Sequence, residues 1–91
     1  MLFALYCEDK PDSEELRKAN RDAHLAYAGE HQIEFAGPLL SDDGERMVGS
    51  LIILDAADLA AAQAFAEHDP YAKAQLFAEV KIRPIRKAIG R

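Results

Sequence analysis

Four consecutive residues in the middle of the chain, Leu51-Ile52-Ile53-Leu54, are apolar with no polar residue between them. They end a segment starting at Met47, interrupted only by the small pair Gly49-Ser50. A strand with helices on one side and water on the other alternates in polarity, whereas a strand that does not is covered on both faces. The rest of the sequence has room for only two main helices, which can cover one face of a sheet. The pattern therefore predicts a second copy of the chain against the other face, as a homodimer joined through its sheet faces.

Other strands and helices follow from local signals. Residues 2–6 form a short apolar and aromatic run suited to a buried strand. Asp9-Lys10-Pro11-Asp12 breaks it, and Asp12 with Glu15 resembles a capping box opening a helix over residues 12–28, with Gly29 near its end. On that helix Leu16, Ala19, Ala23 and Tyr27 share one face, expected to pack on the sheet, with Arg17, Arg21 and His24 on the shoulder beside it.

Residues 33–36 read as a second strand stopped at Gly37-Pro38, and residues 39–45 as a hairpin connection turning at Asp43-Gly44. Asp55 or Asp58 can cap an alanine-rich helix over residues 57–67. Asp69-Pro70 closes it and starts a further short turn. Residues 77–83 form the last strand, with Pro84 arguing for an edge position. The order β-α-β-β-α-β is that of a ferredoxin-like α+β fold in one domain spanning residues 1–91: an antiparallel four-stranded sheet with two main helices on one face.

Sixteen acidic against eleven basic residues give a net charge of −5, so a nucleic-acid backbone is repelled overall. The first seven residues lack the cationic start of a signal peptide, and no apolar run approaches the roughly 20 residues that cross a bilayer. The expectation is a cytoplasmic protein with no membrane partner. A single cysteine, Cys7, allows neither an internal disulfide nor a thiolate cluster. His24, His31 and His68 lack metal-ligand spacing, and no glycine-rich phosphate loop or nucleophile elbow is present, so neither metal nor cofactor is expected.

His24 is the residue with most chemical potential. Arg17 and Arg21, seven and three positions earlier, lie on the same side of its helix and can hold a carboxylate or enolate beside a base. Pattern alone nevertheless favours reading His24 as a polar residue hydrogen-bonded to water or backbone, and Asp69 before a proline as a simple helix cap. Capping uses one carboxylate oxygen and leaves the other to orient a histidine.

Read together, the opening strand with Asp9-Lys10-Pro11-Asp12-Ser13, then Arg17, Arg21-Asp22-Ala23-His24-Leu25, Ala36-Gly37-Pro38, Gly49-Ser50, Asp69-Pro70-Tyr71 and Arg83-Pro84 resemble the YCII-related (YciI-like) family across essentially the whole chain. Asp22 stands where family members often have proline. The resemblance implies a dimeric α+β barrel and a cleft with a His–Asp pair, here His24 and Asp69. Arg17, Arg21, Ser50, Gly37, Pro38 and Tyr71 would surround a small-molecule substrate. It further implies acid–base chemistry: one relative in chlorinated-aromatic breakdown is a dehydrochlorinase, and the fold is similar to muconolactone isomerases and cofactor-free monooxygenases. The leading expectation is a cofactor-free enzyme performing elimination, isomerisation or hydrolysis on a small anionic or cyclic metabolite. The alternatives are a metabolite-binding or regulatory dimer without turnover, and a purely structural dimer.

Overall fold

The computed structural model describes residues 1–90. Four strands and three helices run in the order β1 (Leu2–Asp9), α1 (Glu14–Gly29), β2 (Ile33–Leu40), β3 (Met47–Asp55), α2 (Leu59–His68), α3 (Pro70–Lys73) and β4 (Phe77–Ile85). They form one antiparallel sheet in the order β2-β3-β1-β4, the ferredoxin-like arrangement. β3 and β1 are central, so the apolar segment 51–54 and the opening strand pair in the middle, Leu5 opposite Ile52 and Phe3 opposite Leu54.

The pleat divides each strand between two faces. Phe3, Leu5, Cys7, Ile52 and Leu54 point toward the helices and make the core with Ala62 and Phe65 of α2. Burying each large apolar side chain contributes about 1.5–3 kcal/mol, so this cluster dominates stability. Leu51 and Ile53 take the other face. Ile53 is also buried, while Tyr6, Phe35 and Ile85 remain 47%, 59% and 45% exposed. Residues 86–90 line a groove of about 490 Å³ over Leu2, Phe35, Leu51 and Ile53, and Lys87 pairs with Glu34 at 3.2 Å. The chain thus contributes some cover to this face from its own C-terminal segment, a contribution the helix count overlooks.

Several local expectations are corrected. No capping box opens α1: Asp12 sits at φ 56°, a left-handed conformation that Asp tolerates in turns, and the N-cap is Ser13 with no side-chain cap bond. The face of α1 that meets the sheet is also different. Leu16, Ala19 and Ala23 are exposed, Tyr27 is half-buried, and the buried residues of the helix are Arg17 and His24. The sheet below offers them polar partners, which hydrophobic periodicity cannot register. β2 does not stop at Gly37-Pro38 but continues to Leu40, Pro38 opposite Ser50. As an edge strand it has one side free of ladder bonds, so the missing N–H is tolerated.

The second half follows the sequence more closely. Asp58 caps α2 by accepting from the Ala61 N–H at 2.9 Å. Asp69 then ends α2 and opens α3, accepting from the Tyr71 N–H at 2.9 Å with Pro70 as first helical residue. Gln75, at φ 61°, reverses the chain into β4, which is an edge strand as Pro84 requires. No helix of the described residues is long and apolar enough to cross a membrane.

Candidate functional site

α1 and the α2–α3 junction bring together residues forty-five positions apart. Nδ1 of His24 lies 2.9 Å from Oδ1 and 3.0 Å from Oδ2 of Asp69, with both residues buried. An ionised carboxylate only accepts, so Nδ1 carries the hydrogen and donates it. In the neutral ring Nε2 then holds a lone pair. Nε2 makes no hydrogen bond among the described residues, and no buried side-chain nitrogen or oxygen lacks a partner, so Nε2 faces the open volume that His24 lines. The ring is held flat against Tyr71, centroids 4.0 Å apart and planes 14° from parallel.

That volume is a cavity of about 240 Å³ between α1, the edge strand β2 and β3. Arg17, Arg21, His24, Gly37, Pro38, Ser50 and Tyr71 all line it, together with the apolar Leu25, Ala28, Ala36, Met47 and Ile52, which the sequence did not mark as site residues. Their signal was weak, since each also reads as ordinary packing. Among the described residues no group of three or more His, Cys, Asp or Glu converges to hold a metal ion. His31 and His68 lie outside this cavity, exposed, with Nδ1 bonded to the Tyr27 and Ala64 carbonyls.

The two arginines differ. Arg17 is 2% exposed, and its guanidinium donates from Nε to Asp9 Oδ2 at 2.7 Å and from Nη2 to Asp9 Oδ1 at 2.9 Å. Burial works to lower its pKa, but the bond and charge of Asp9, joined by Tyr71, together hold it above its ordinary value. Nη2 also donates to Ser50 Oγ at 3.0 Å, and Cζ lies 4.7 Å from the centre of the Tyr71 ring. Arg21 is exposed at the cavity wall and makes no ion pair among the described residues. Arg21, rather than Arg17, thus carries the uncompensated charge. Asp9 was missed as more than a strand breaker. Its clue is position, at the end of β1 and two residues beyond inward-facing Cys7.

Burial pushes the Tyr71 phenol above its ordinary pKa, with Arg17 and Arg21 acting in the opposite sense, so it stays protonated at neutral pH. Burial, aided by the charge of Asp69, pushes the Cys7 thiol up to about 12, with Arg17 opposing, so it is not a nucleophile at neutral pH. The His24 imidazole, in its neutral form, is the group lining this cavity that has a ring nitrogen left without a protein partner.

The YCII-related domain model matches residues 1–86. Protein YciI of Escherichia coli O6:H1 is 36% identical, covering 96% of this chain and 98% of its own length. An uncharacterized protein of Haemophilus influenzae is 32% identical over the same shares. Among solved structures, 5-chloro-2-hydroxyhydroquinone dehydrochlorinase from Burkholderia phenoliruptrix AC1100, in complex with 2,5-dihydroxybenzoquinone, is 35% identical and superposes with a TM-score of 0.89 over 97% of this chain and 96% of that one. With sequence, fold and length in agreement, the chain belongs to the YCII-related family.

Proposed function

We propose that this protein is a cofactor-free acid–base enzyme acting on small, ring-sized, oxygenated anions, by elimination or by the related shift of a proton in isomerisation. The observation that carries the reading is the His24 ring, fixed at Nδ1 by both oxygens of Asp69 with Nε2 left to the cavity. In this reading Nε2 removes an acidic O–H or C–H proton. The electron pair left behind forms a C=O or C=C bond and expels a leaving group such as chloride, or settles on oxygen as an enolate. Asp69 steadies the imidazolium until the proton passes to product or water. Arg21 and the Ser50 hydroxyl face the oxygen where negative charge gathers.

Two further observations support it. The cavity, at about 240 Å³, lies below the roughly 300 Å³ at which pockets for drug-sized molecules begin, which suits a single ring. The structurally similar protein is, by its name, a dehydrochlorinase of a chlorinated hydroxyhydroquinone. General acid–base help is worth about 10²–10⁴-fold, sufficient for an activated ring and thin for an unactivated amide, so hydrolysis is the least favoured of the reactions considered.

The test compares wild type with His24→Gln, using chloride release from 5-chloro-2-hydroxyhydroquinone and calorimetric binding of 2,5-dihydroxybenzoquinone. Loss of turnover with binding retained is expected. Binding without chloride release by wild type makes the chain a metabolite-binding module, and undiminished turnover in His24→Gln refutes the assigned base.

The second copy belongs to the same proposal. Tyr6, Phe35 and Ile85 are exposed on the face away from the helices, Phe35 and Ile85 even though they line the groove that residues 86–90 border, and Tyr6 outside that groove. Glu8 and Glu79 pair at one end of the β1–β4 ladder, and Arg83 opposite Ala4 lies further along it. A two-fold axis can set those charges against one another while the apolar residues meet. Sedimentation should give a dimer at micromolar concentration, and a stable monomer there refutes this part.

A further inference from the structure

We infer that Asp9 is a positioning residue, which through Arg17 fixes the Ser50 hydroxyl as a hydrogen-bond donor into the cavity. The inference rests on the reading of that cavity as the ligand site. A guanidinium has five N–H donors and no acceptor. Asp9 takes two of them in a bidentate grip, Nε at 2.7 Å and Nη2 at 2.9 Å, with side chains only 3% and 5% exposed for Arg17 and Asp9. The grip sets the plane of the guanidinium, and the second hydrogen of Nη2 then meets Ser50 Oγ at 3.0 Å.

Ser50 must be the acceptor in that bond, so its own hydrogen points elsewhere. No described residue accepts it, and Ser50 lines the same cavity as His24. Accepting from a cation also polarises the hydroxyl and strengthens it as a donor. The cavity therefore offers both an acceptor, His24 Nε2, and a donor of fixed polarity. That combination recognises a ligand with an acidic hydroxyl next to a carbonyl or oxyanion.

A purely structural role for the ion pair, tying α1 to β1, uses the same bonds, so the test must read the Ser50 hydroxyl itself. The probe is 2,5-dihydroxybenzoquinone, in which each hydroxyl neighbours a carbonyl, with dissociation constants measured by calorimetry. Ser50→Ala should weaken binding about tenfold or more, the usual cost of a hydrogen bond to a charged group. Asp9→Asn should weaken it similarly in the wild-type background but less than about threefold in the Ser50→Ala background.

Because Asp9→Asn leaves a buried arginine without its partner and can unfold the chain, the charge-neutral pair Asp9→Asn with Arg17→Gln is measured alongside it. It should match Ser50→Ala in binding. Equal effects of the Asp9 change in both backgrounds, or wild-type binding by the neutral pair, overturn the inference. Wild type that binds the quinone without releasing chloride from the chlorinated substrate refutes only the enzymatic reading and leaves this inference standing.

Discussion

Asp69 allows stability and chemistry to be separated by two substitutions at one position. Its carboxylate is 2% exposed and takes hydrogens from two directions, the Tyr71 N–H at 2.9 Å and His24 Nδ1 at 2.9 and 3.0 Å. Asp69→Ala leaves two donors facing an apolar methyl, the capped Tyr71 N–H and His24 Nδ1, each orphan costing about 1–3 kcal/mol when water cannot replace the bond. The expected loss is about 3 kcal/mol, well above the roughly 1 kcal/mol of a cap alone, and for a chain of this length it lowers the melting temperature by about 12–24 °C. Asp69→Asn behaves differently. Its carbonyl oxygen keeps the Tyr71 bond, so stability should fall by about 1 kcal/mol or less. Its amide then takes the place of Oδ2, 3.0 Å from Nδ1, and sets a donor against the ring hydrogen, which favours moving that hydrogen to Nε2 and closing the lone pair that faces the cavity. Turnover should drop by about 10³–10⁴-fold, the effect of imposing the wrong tautomer on a carboxylate-held histidine. Nitrogen-15 NMR of the imidazole reads the tautomer, and thermal melts read the stability. The reasoning fails if wild type and Asp69→Asn share one tautomer, or if Asp69→Ala melts within about 2 °C of wild type.

Gly49→Ala should lose about 1–3 kcal/mol in denaturant unfolding, because a Cβ there runs into the Cys7 carbonyl oxygen of the adjoining central strand, which cannot move aside without breaking the ladder; stability equal to wild type contradicts this. Cys7 should make the protein sensitive to alkali. The buried thiol keeps its proton up to about 12, against 9.0 when free, so between these values the unfolded chain binds fewer protons and stability falls as pH rises, by about 1.4 kcal/mol per unit. Wild type should therefore lose about 2 kcal/mol more than Cys7→Ala between pH 8 and pH 10.5, and parallel losses refute it. Arg21→Gln should weaken binding of 2,5-dihydroxybenzoquinone about two- to fivefold and reduce its salt dependence without changing the melt, and calorimetry at two ionic strengths decides the matter.

The parts of the fold that were legible in the sequence were those governed by neighbours along the chain. Asp58 and Asp69 lie just before helical runs and cap them, and Pro70 and Pro84 occupy a first helical position and an edge strand. The unalternating 51–54 segment does have apolar residues on both sides of the sheet. What periodicity misread was α1, since a helix face is judged apolar or polar without knowing what lies beneath it. Asp9 at the end of β1 and Ser50 within β3 reach Arg17 from 8 and 33 positions away, and Asp69 reaches His24 from 45. These separations make buried polar residues acceptable where Leu16 and Ala23 looked the better anchors. The approach of His24 to Asp69 likewise came only through family resemblance, since no local rule connects them.

The inward side of α1 has a consequence for how such a chain can change. Arg17 and His24 are the only fully buried residues of that helix, and Tyr27 adds a hydrogen bond from its hydroxyl to the Phe65 carbonyl at 2.8 Å. Hydrogen bonds of this kind return about 1 kcal/mol each, less than the 1.5–3 kcal/mol of a buried leucine or phenylalanine. The helix is thus docked by the groups proposed to do chemistry, and by weaker forces than those joining α2 to the sheet. A lineage that abandoned the reaction could not let these positions drift, because each loss would loosen a whole helix. Relatives without activity should therefore still carry the arginine and histidine, and retention of the pair across such proteins would record mechanical necessity as much as catalysis.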